Sequence, residues 1–239
     1  MSTSATPDSP PVRPLPSTAQ PPAWEQYRAQ IAAYTNAEVN YDFARQSEYT
    51  SATGWRLDDY ATDLPAEAPG PPAAAGSFAA AQDVLRCYAF PPPDLITGYF
   101  DPAVPLNKRI MLLRAHFLVF NFYFGVRVSE VTDEAARTTP AGPERVWGYG
   151  YRTLQGHFEK GQIDFTIHKN LNTGAVQFRI HAVSQPGQIR NLFYWVGFKL
   201  FGRILQRKFA SESLRRMREL VAASLSGAGL PSKPAGVIK

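Results

Sequence analysis

The sequence predicts an α+β domain in which a curved antiparallel sheet of about six to seven strands packs against one long C-terminal helix. Short segments rich in β-branched and aromatic residues, separated by turn residues, fill the middle of the chain and indicate the sheet. Apolar residues at steps of three and four follow Pro186 and indicate the helix. With 239 residues, of which 44% are hydrophobic, the chain is long enough for one core and two tails.

The ends of the chain differ in composition from its middle. Proline, serine and threonine dominate the start, and such a segment buries too little apolar surface to offset its ordering entropy. We therefore expect a disordered tail over residues 1–23, a single domain over 24–226 and a flexible tail over 227–239.

The ordered part is expected to begin with a helix and a strand. Aromatic and aliphatic residues recur at helical spacing from Trp24 and predict a short amphipathic helix that ends near Asn36. A strand is predicted over 55–64, ahead of a loop of proline, alanine and glycine. Ser77 is then expected to cap a second helix, which the prolines from Pro91 onward end.

From residue 95 onward the pattern is typical of strands joined by short turns. Glycine and asparagine in the later turns favour an antiparallel meander. The polar stretch 132–143 is expected to be a loop. The predicted strands are 95–100, 110–119, 122–131, 146–153, 162–168 and 176–184.

The last predicted hairpin has a definite register. The apolar residues of its two strands share one face when the turn is centred on residues 172–173. The opposite face then brings Asp164 near His181. Two interpretations are open for these two side chains: an acid-base site, or a cross-strand charge pair on a solvated sheet face, which we favour.

The C-terminal helix is predicted to run from Pro186 to about Leu225. Its apolar stripe consists of Phe198, Phe201, Leu205, Phe209, Ser213, Met217, Leu220 and Val221. Its basic residues are Lys199, Arg203, Arg207, Lys208, Arg215, Arg216 and Arg218. The basic residues indicate either a solvated helix face or a docking surface for an acidic acyl carrier protein or an anionic membrane.

Several classes of function lack support in the sequence. One cysteine, Cys87, excludes a disulfide framework, and the four histidines show no ligand spacing, so no metal and no cofactor are expected. No signal peptide and no membrane-spanning segment is predicted, which favours a cytoplasmic location. The formal charge of +5 is mild, and no phosphate-binding motif follows Gly148 and Gly150. Nucleic acid and nucleotides are therefore not expected as partners.

Residues 147–157 read WGYGYRTLQGH and are followed by Glu159, Gly161 and Phe165. Other residues that belong to the same pattern are Asn40, Tyr41, Gly54, Trp55, Phe78, Val183, Ser184, Gln185, Pro186, Gln206, Phe209, Ala210 and Ser213. Together they resemble the uncharacterised family DUF1990, a domain of unknown function, over residues 38–222.

This family in turn resembles the START and polyketide-cyclase superfamily. That resemblance implies a helix-grip fold, in which the sheet wraps around the long C-terminal helix, and an interior that binds an apolar small molecule. The family itself has no settled activity, so the resemblance implies no catalytic residue.

Aromatic residues on one face of a predicted strand are the candidate ligand contacts. Trp147, Tyr149 and Tyr151 supply ring area and phenol hydroxyls, which suit a flat, partly oxygenated ligand. Ordinary core packing is the alternative for these three residues. The residues expected to bind the ligand are Trp147, Tyr149, Phe165, Phe178, Phe198 and Phe201.

His157 and Glu159 lie in the turn after this strand and are candidate catalytic residues together with Tyr151. An imidazole and a carboxylate can exchange protons with an enolisable substrate, which an aldol-type cyclisation or a dehydration requires. The alternative is structural, with His157 bonded to the loop main chain and Glu159 paired with Lys160 or an arginine.

Three functions are compatible with these residues. The first is a cofactor-free cyclase, dehydratase or isomerase of a polyketide-like intermediate in biosynthesis. The second is a non-catalytic carrier or sensor of a lipid or another hydrophobic small molecule. The third is an interaction protein that uses the basic helix. Folds of this kind support catalysts and passive binders alike, so the sequence leaves all three open.

Overall fold

Apolar and polar residues alternate along the strands of this chain, and the alternation gives the sheet an apolar and a polar face. A computed structural model describes residues 23–117, 120–187 and 192–227, and the side chains of these residues except 117 and 192–202. Residues 1–22 and 228–239, which form nearly all of the two predicted tails, lie outside the described residues.

The described residues form one antiparallel sheet and three α-helices. The strands are β1 Arg56–Leu64, β2 Ile96–Tyr99, β3 Ile110–Phe117, β4 Phe120–Thr139, β5 Gly142–Thr153, β6 Glu159–Asn170 and β7 Val176–Pro186. The helices are α1 Arg28–Ala33, α2 Ser77–Arg86 and α3 Leu192–Leu225. The strand order is β1-β7-β6-β5-β4-β3-β2. The predicted helix-grip arrangement, an antiparallel sheet with a long C-terminal helix, is therefore confirmed.

The register of the last hairpin follows the apolar pattern. Phe165 lies opposite Ile180, and Ile167 lies opposite Phe178. The Asn170 side chain accepts two hydrogen bonds from main-chain N–H groups of the turn, each at 2.9 Å. One face of β6 and β7 is thus apolar, as the sequence predicts.

One predicted loop belongs to two strands. β4 runs to Thr139 and β5 begins at Gly142, so the prediction of a loop over 132–143 was wrong. This end of the hairpin extends beyond the core, so its side chains are largely polar although its main chain is paired. Register shifts between Val128 and Glu130 and farther along β4 mark bulges in this strand.

The start of α2 is capped differently from the prediction. Gly76, and not Ser77, is the N-cap residue, and the Ser77 hydroxyl donates to the Pro65 carbonyl at 2.5 Å. The Glu67 carboxylate accepts a hydrogen bond from the main-chain N–H of Phe78 at 2.8 Å. A carboxylate from the preceding loop therefore supplies the acceptor that the sequence pattern assigned to Ser77.

The same carboxylate holds the loop between β1 and α2. Lys169 donates to Glu67 at 2.7 Å and to the Pro71 carbonyl at 3.0 Å, and the Lys169 and Glu67 side chains are only 1% and 5% exposed. Burial opposes ionisation of Glu67, but the hydrogen bonds from Lys169 and the main chain outweigh it and lower the pKa of Glu67. The α2 end of the sheet thus contains a buried ion pair.

Helices α2 and α3 cover one face of the sheet, which we call the inner face. α3 contacts β1, β7 and α2. Among its described side chains, the buried ones are Ala210, Ser213, Met217 and Val221. Phe198 and Phe201, which begin the predicted stripe, lie outside the described side chains. No helix in the described part of the chain is long and apolar enough to cross a membrane.

The opposite, outer face carries α1, the helix predicted near the start of the domain. The Tyr34 ring covers Gly125, where a Cβ atom would collide with it. The Tyr27 ring lies 4.3 Å from that of Tyr99, and the Tyr27 hydroxyl lies 3.4 Å from the Tyr123 hydroxyl. The short N-terminal helix is therefore fixed to the sheet by aromatic contacts.

Candidate functional site

The inner face has two halves, and the first is the half that α2 covers. We define the α2-covered half as Trp147, Tyr149, Phe165 and Phe178. Phe165 and Phe178 are fully buried, and the Phe90 ring, which follows α2, lies 4.7 Å from the Phe165 ring and 5.6 Å from the Phe178 ring. Four of the six residues predicted to bind ligand therefore lie in a packed aromatic core.

α2 also makes polar contacts with the α2-covered half. The Tyr149 hydroxyl donates to the main-chain carbonyl of Leu85 at 3.0 Å. The Arg86 guanidinium lies 4.9 Å from the centre of the Trp147 ring. Burial raises the pKa of Tyr149 far above its ordinary value of 10.0, so this phenol stays neutral. These residues seal the sheet against the helix.

The second half of the inner face lies toward the described beginning of α3 and is polar. We define the α3-covered half as Asp58, Tyr151, Glu159, Arg203 and Gln206. Arg203 donates to both oxygens of Asp58 at 2.5 Å, and this hydrogen bonding lowers the pKa of Asp58. The ion pair joins α3 to β1, with Asp58 mostly buried and Arg203 more exposed.

Glu159 begins β6, and its main chain is held on both sides. Its N–H donates to Nδ1 of His157 at 2.9 Å, and its carbonyl accepts from the Asn40 side chain at 2.7 Å. The Thr153 hydroxyl donates to Asn40 Oδ1 at 2.6 Å and orients that amide. Side chains thus fix the main chain of Glu159 where the strand begins.

The carboxyl group of Glu159 is held by α3. The Gln206 amide donates to Glu159 Oε1. Burial raises the pKa of Glu159 from 4.5 to about 7, although the nearby positive charge of Arg56 lowers it and so opposes this shift. Glu159 is nevertheless half-buried and not fully enclosed. A half-buried carboxyl group with this pKa can both accept and donate a proton near neutral pH.

His157 is buried among aromatic rings behind Glu159. Its ring lies 4.3 Å from that of Phe124 and 4.6 Å from that of Phe158. Burial lowers the pKa of His157 to about 3, so the imidazole is neutral at physiological pH. Because Nδ1 accepts a hydrogen bond, the remaining proton is on Nε2. In the described structure His157 contributes to the placement of Glu159.

Tyr151 lies at the boundary of the two halves. Its hydroxyl is 3.3 Å from the hydroxyl of Tyr88, and its ring is 5.7 Å from that of Phe165. The pKa of Tyr151 is raised from 10.0 to about 12, chiefly by burial; the hydrogen bond with Tyr88 opposes the shift, and the negative charge of Glu159 adds to it. Tyr151 and Glu159 lie on the same face of the sheet, because Tyr151 pairs with Ile163, four residues along β6 from Glu159.

Two buried oxygen atoms on α3 have no hydrogen-bond partner among the described residues: Oε1 of Gln206 and the hydroxyl of Ser213. The two residues are seven positions apart and therefore lie on the same side of the helix. Buried polar atoms in proteins are nearly always paired, so these two atoms are available to a ligand or to water.

Four residues of this region were not among the candidate site residues of the sequence: Asp58, Tyr88, Arg203 and Gln206. Gln206 carried a signal, because it belongs to the pattern that resembles DUF1990. Tyr88 also carried a sequence signal, because it lies where the predicted second helix ends, shortly before the prolines that begin at Pro91. No local pattern could pair Asp58 with Arg203, because 145 positions separate them in the chain.

The outer face carries the other predicted pair, Asp164 and His181. These residues are in register, but the His181 ring nitrogen lies 2.7 Å from Asp59 on β1, and Asp164 accepts from Gln162 at 2.7 Å. His181 and Asp59 are well exposed. The arrangement corresponds to cross-strand polar pairing on the outer face.

The basic residues of α3 are only partly available to a partner. Arg203 is paired with Asp58, Arg215 binds two glutamates of its own helix, and Arg216 donates to a main-chain carbonyl at 3.1 Å. The exposed basic side chains without an ion pair among the described residues are Arg207, Lys208 and Arg218. In the part of the chain that the structure describes, no three or more side chains come together in a group that could hold a metal ion.

Comparison with known proteins identifies one family. The family described as Domain of unknown function (DUF1990) matches residues 37–216, which include every residue of the α3-covered half. No curated protein matches the chain.

Solved structures with a similar fold have low sequence identity to the chain. The Zhui aromatase/cyclase from Streptomyces sp. R1128 is 12% identical, with 73% of this chain and 98% of that chain covered and a TM-score of 0.47. A norcoclaurine synthase point mutant from Thalictrum flavum is 7% identical, with 70% and 94% covered and a TM-score of 0.44. Ara h 8.0201 is 12% identical, with 71% and 99% covered and a TM-score of 0.40.

Proposed function

Because this chain belongs to the DUF1990 family, whose description names no activity, we infer its function from its own residues. We propose that it binds a hydrophobic or aromatic small molecule between the sheet and α3 and converts it without a cofactor. The proposed reaction class is that of a cyclase, dehydratase or isomerase of a polyketide-like intermediate. The observation that carries the proposal is Glu159, a half-buried carboxyl group that Gln206 holds from α3 and whose pKa is raised to about 7.

The surroundings of the α3-covered half suit an apolar ligand with few polar groups. Ile163 and Tyr60 are partly buried and pack on the core beside it, and they offer apolar contact area. Gln206 and Ser213 each contribute a buried oxygen without a partner among the described residues. A mostly apolar ligand that carries a hydroxyl group satisfies both requirements. In this proposal Phe198 and Phe201 add ring contacts from α3.

The chemistry of the site suits proton transfer at carbon. Aldol-type cyclisation, dehydration and double-bond isomerisation can all begin when a base removes a proton from the carbon next to a carbonyl group. A base with a pKa near the working pH is the most effective choice for this step. Glu159 fits that requirement, and in this proposal the Tyr151 hydroxyl donates to the oxygen of the same substrate.

The three predicted catalytic residues have different roles in this proposal. Glu159 and Tyr151 contact the ligand. His157 holds the main chain of Glu159 through Nδ1 and, with its pKa lowered to about 3, is not the group that titrates near neutral pH. Gln206 fixes the orientation of the Glu159 carboxyl group from α3.

A non-catalytic carrier or sensor is the second candidate function. The unpartnered oxygens of Gln206 and Ser213 favour ligand binding whether or not a proton is transferred. The Arg203–Asp58 ion pair, which joins α3 to β1, would then fasten the helix over a bound lipid or aromatic molecule.

The basic surface of α3 supports a weaker third proposal, an interaction with an acyl carrier protein or an anionic membrane. Arg207 and Arg218 lie three turns apart on one side of the helix and are exposed. Binding through these residues would weaken as the salt concentration rises, because exposed charges are screened. The double variant Arg207→Ala/Arg218→Ala should then lose binding to carrier protein or vesicles without losing stability.

The proposed function is tested by ligand binding followed by turnover. Native mass spectrometry of the purified chain and a thermal-shift panel of aromatic ketones, phenols and fatty acids should identify compounds that bind. Compounds that bind are then incubated with wild type, Glu159→Gln and, as a matched control, Glu130→Gln, an exposed glutamate on β4. An enzyme converts its compound, and Glu159→Gln lowers the rate by about 10²-fold or more.

The outcomes separate the candidates. A bound compound recovered unchanged from every variant would support the carrier. A chain to which no hydrophobic compound binds, in either assay, would contradict both the enzyme and the carrier.

A further inference from the structure

Tyr88 occupies a strained position at the end of α2. Its φ angle is 51°, and it is the one non-glycine residue with positive φ among the described residues. Its N–H bonds to the Leu85 carbonyl and the Ala89 N–H bonds to the Val84 carbonyl, both at 3.0 Å. This double hydrogen bond is the Schellman motif, whose left-handed position normally holds glycine because other residues are strained there.

A second position in the sheet is also adapted to Tyr88. Gly98 in β2 faces the Tyr88 ring, and a Cβ atom at that glycine would lie 2.6 Å from Tyr88 Cδ1. Real Cβ atoms do not approach so closely, so a larger residue would push the ring aside. The chain therefore accepts an unfavourable backbone angle at Tyr88 and a glycine at position 98, and both place one phenol.

The phenol of Tyr88 reaches the Tyr151 hydroxyl, and the two groups have one hydrogen bond between them. Their oxygens are 3.3 Å apart, and the described residues give neither hydroxyl another partner. Two O–H groups carry two protons, and one shared bond uses only one of them. One buried O–H therefore lacks an acceptor, and a buried donor without an acceptor is costly.

The exposed fractions indicate which hydroxyl has the unused proton. As whole residues Tyr88 is 1% exposed and Tyr151 is 8% exposed, so Tyr151 lies closer to accessible space. Tyr88 therefore donates to Tyr151, and the Tyr151 O–H is left to donate to a ligand on the inner face. Glu159 lies on the same face of the sheet as Tyr151, because Tyr151 pairs with Ile163, which is four residues along β6 from Glu159.

We propose that Tyr88 is a positioning residue that orients and polarises Tyr151, and that Tyr151 donates its hydrogen bond to the carbonyl oxygen of an enolisable ketone. The inference rests on the proposed function and deepens it, because it assigns the substrate class and a second tyrosine. Tyr88 acts through Tyr151 and does not touch the substrate.

The proposed step conserves atoms and charge. The Glu159 carboxylate takes a proton from the carbon next to the ketone, and the electrons of the broken C–H bond form a carbon–carbon double bond. The former carbonyl π electrons move to oxygen, where the Tyr151 O–H stabilises the enolate. Glu159 then returns its proton to the product. Donors aimed at a developing oxyanion are among the strongest contributions to catalysis.

The test uses two probes of the same shape. 2-Tetralone is an aromatic ketone with acidic C–H bonds, and its exchange with D2O is followed by proton NMR. 2-Naphthol mimics the enol, and its bound ionised fraction is read from its absorbance. Each probe is measured with wild type, Tyr88→Phe and Tyr151→Phe. The matched control is Tyr27→Phe, which removes one hydroxyl from the exposed Tyr27–Tyr123 phenol pair on the outer face.

The expected results distinguish a positioning role of Tyr88 in catalysis from a purely structural role. Tyr151→Phe should slow exchange about 10²-fold. Tyr88→Phe should slow it about threefold to tenfold in kcat with little change in KM, and should lower the ionised fraction of bound 2-naphthol, because the remaining phenol is less polarised. Tyr27→Phe should match wild type in both assays. A second variant, Gly98→Ala, should reproduce the Tyr88→Phe effect by displacing the ring.

Two other results have separate meanings. If wild type binds both probes and catalyses exchange, but Tyr88→Phe and Gly98→Ala leave the rate and the naphthol spectrum unchanged, the role of Tyr88 is overturned while the proposed function stands. If wild type binds neither probe and catalyses no exchange, the proposed function is contradicted, and the role of Tyr88 is contradicted with it.

Discussion

Tyr149 and Tyr151 are two residues apart on the same face of β5, yet they lie in different halves of the inner face. The Tyr149 hydroxyl donates to a main-chain carbonyl at the end of α2, and its ring is part of a packed aromatic core. The Tyr151 hydroxyl meets only another hydroxyl among the described residues, and an ionisable glutamate lies nearby. The difference comes from the partner of each hydroxyl: Tyr149 bonds to the main chain of α2, whereas Tyr151 meets the side chain of Tyr88 just after that helix.

The two helices contribute different side chains. α2 supplies buried apolar residues such as Val84 and Leu85, whereas the described beginning of α3 supplies Arg203 and Gln206. Apolar burial stabilises the fold, but polar groups that are incompletely paired reduce stability and persist where they serve a function. Stability is therefore expected to depend on the α2-covered half, and ligand chemistry on the α3-covered half.

The largest expected effect is in the α2-covered half. Phe165→Ala should lower the free energy of unfolding by about 4 kcal/mol, because the fully buried ring leaves a cavity that its aromatic neighbours cannot fill. Denaturant unfolding measures the change, and Leu57→Ala, at an exposed position of β1, should cost less than about 0.5 kcal/mol. A loss below about 1 kcal/mol for Phe165→Ala would show that this half is not solidly packed.

The second prediction concerns the buried Glu67–Lys169 ion pair, which tests whether charged groups also stabilise the α2 end of the sheet. Glu67→Gln should cost about 3 kcal/mol at neutral pH, because Lys169 would stay buried without its partner. The pKa of Glu67 is lowered in the folded state, so its contribution is present above the unfolded pKa and is lost as the pH falls through the folded value.

The ion-pair prediction has its own control. The double variant Glu67→Gln/Lys169→Met should recover most of the stability, since it removes both charges. Unfolding measured from pH 7 down to pH 3 should show the difference between wild type and Glu67→Gln shrinking with acidity. A difference that grows with acidity would contradict the assigned ion pair.

Glu159 should make folding stability depend on pH in the opposite direction from Glu67. Its pKa is raised from 4.5 to about 7, so the unfolded chain ionises first as the pH rises. Relative to Glu159→Gln, the free energy of unfolding of wild type should fall by about 2 kcal/mol between pH 4.5 and pH 8. This value is smaller than the full pKa shift would give, because the carboxyl group is partly exposed and therefore screened by solvent. The matched variant Glu130→Gln, at an exposed position of β4, controls for the loss of one negative charge.

The smallest effects come from the two tyrosines themselves. Tyr149→Phe should cost about 1 kcal/mol in unfolding free energy, because the buried Leu85 carbonyl loses its donor. Tyr151→Phe should cost less than about 0.5 kcal/mol, because its hydroxyl is poorly satisfied before the change. Equal losses for the two variants would remove the distinction between the halves.

The fold could be predicted from sequence because its determinants are local. Alternation along β6 and β7 defines one apolar face, and a one-residue slip would set Ile167 against Arg179 and not against Phe178. The prediction failed at 132–143, where the paired main chain extends beyond the core and the side chains give no apolar signal. It failed again at Ser77, because a carboxylate ten positions away caps the helix.

The site was less predictable because its contacts are distant in the chain. Sequence patterns could point to Tyr151 and Glu159, since they lie in one compact segment. They could not pair Glu159 with Gln206, 47 positions away, or Tyr151 with Tyr88, 63 positions away. Those contacts depend on how α2 and α3 lie across the sheet, which no local pattern encodes.

Glu159 is a half-buried carboxyl group of the α3-covered half, and its pKa tests the proposed site most directly. Carbon-13 NMR of the chain labelled at the glutamate carboxyl carbons, titrated from pH 3 to pH 9, measures its pKa directly, and Glu159→Gln assigns the signal. We expect one carboxyl signal with a midpoint near 7 that is absent from the Glu159→Gln variant. A titration in which the assigned Glu159 signal has its midpoint near 4.5 would contradict the proposed site.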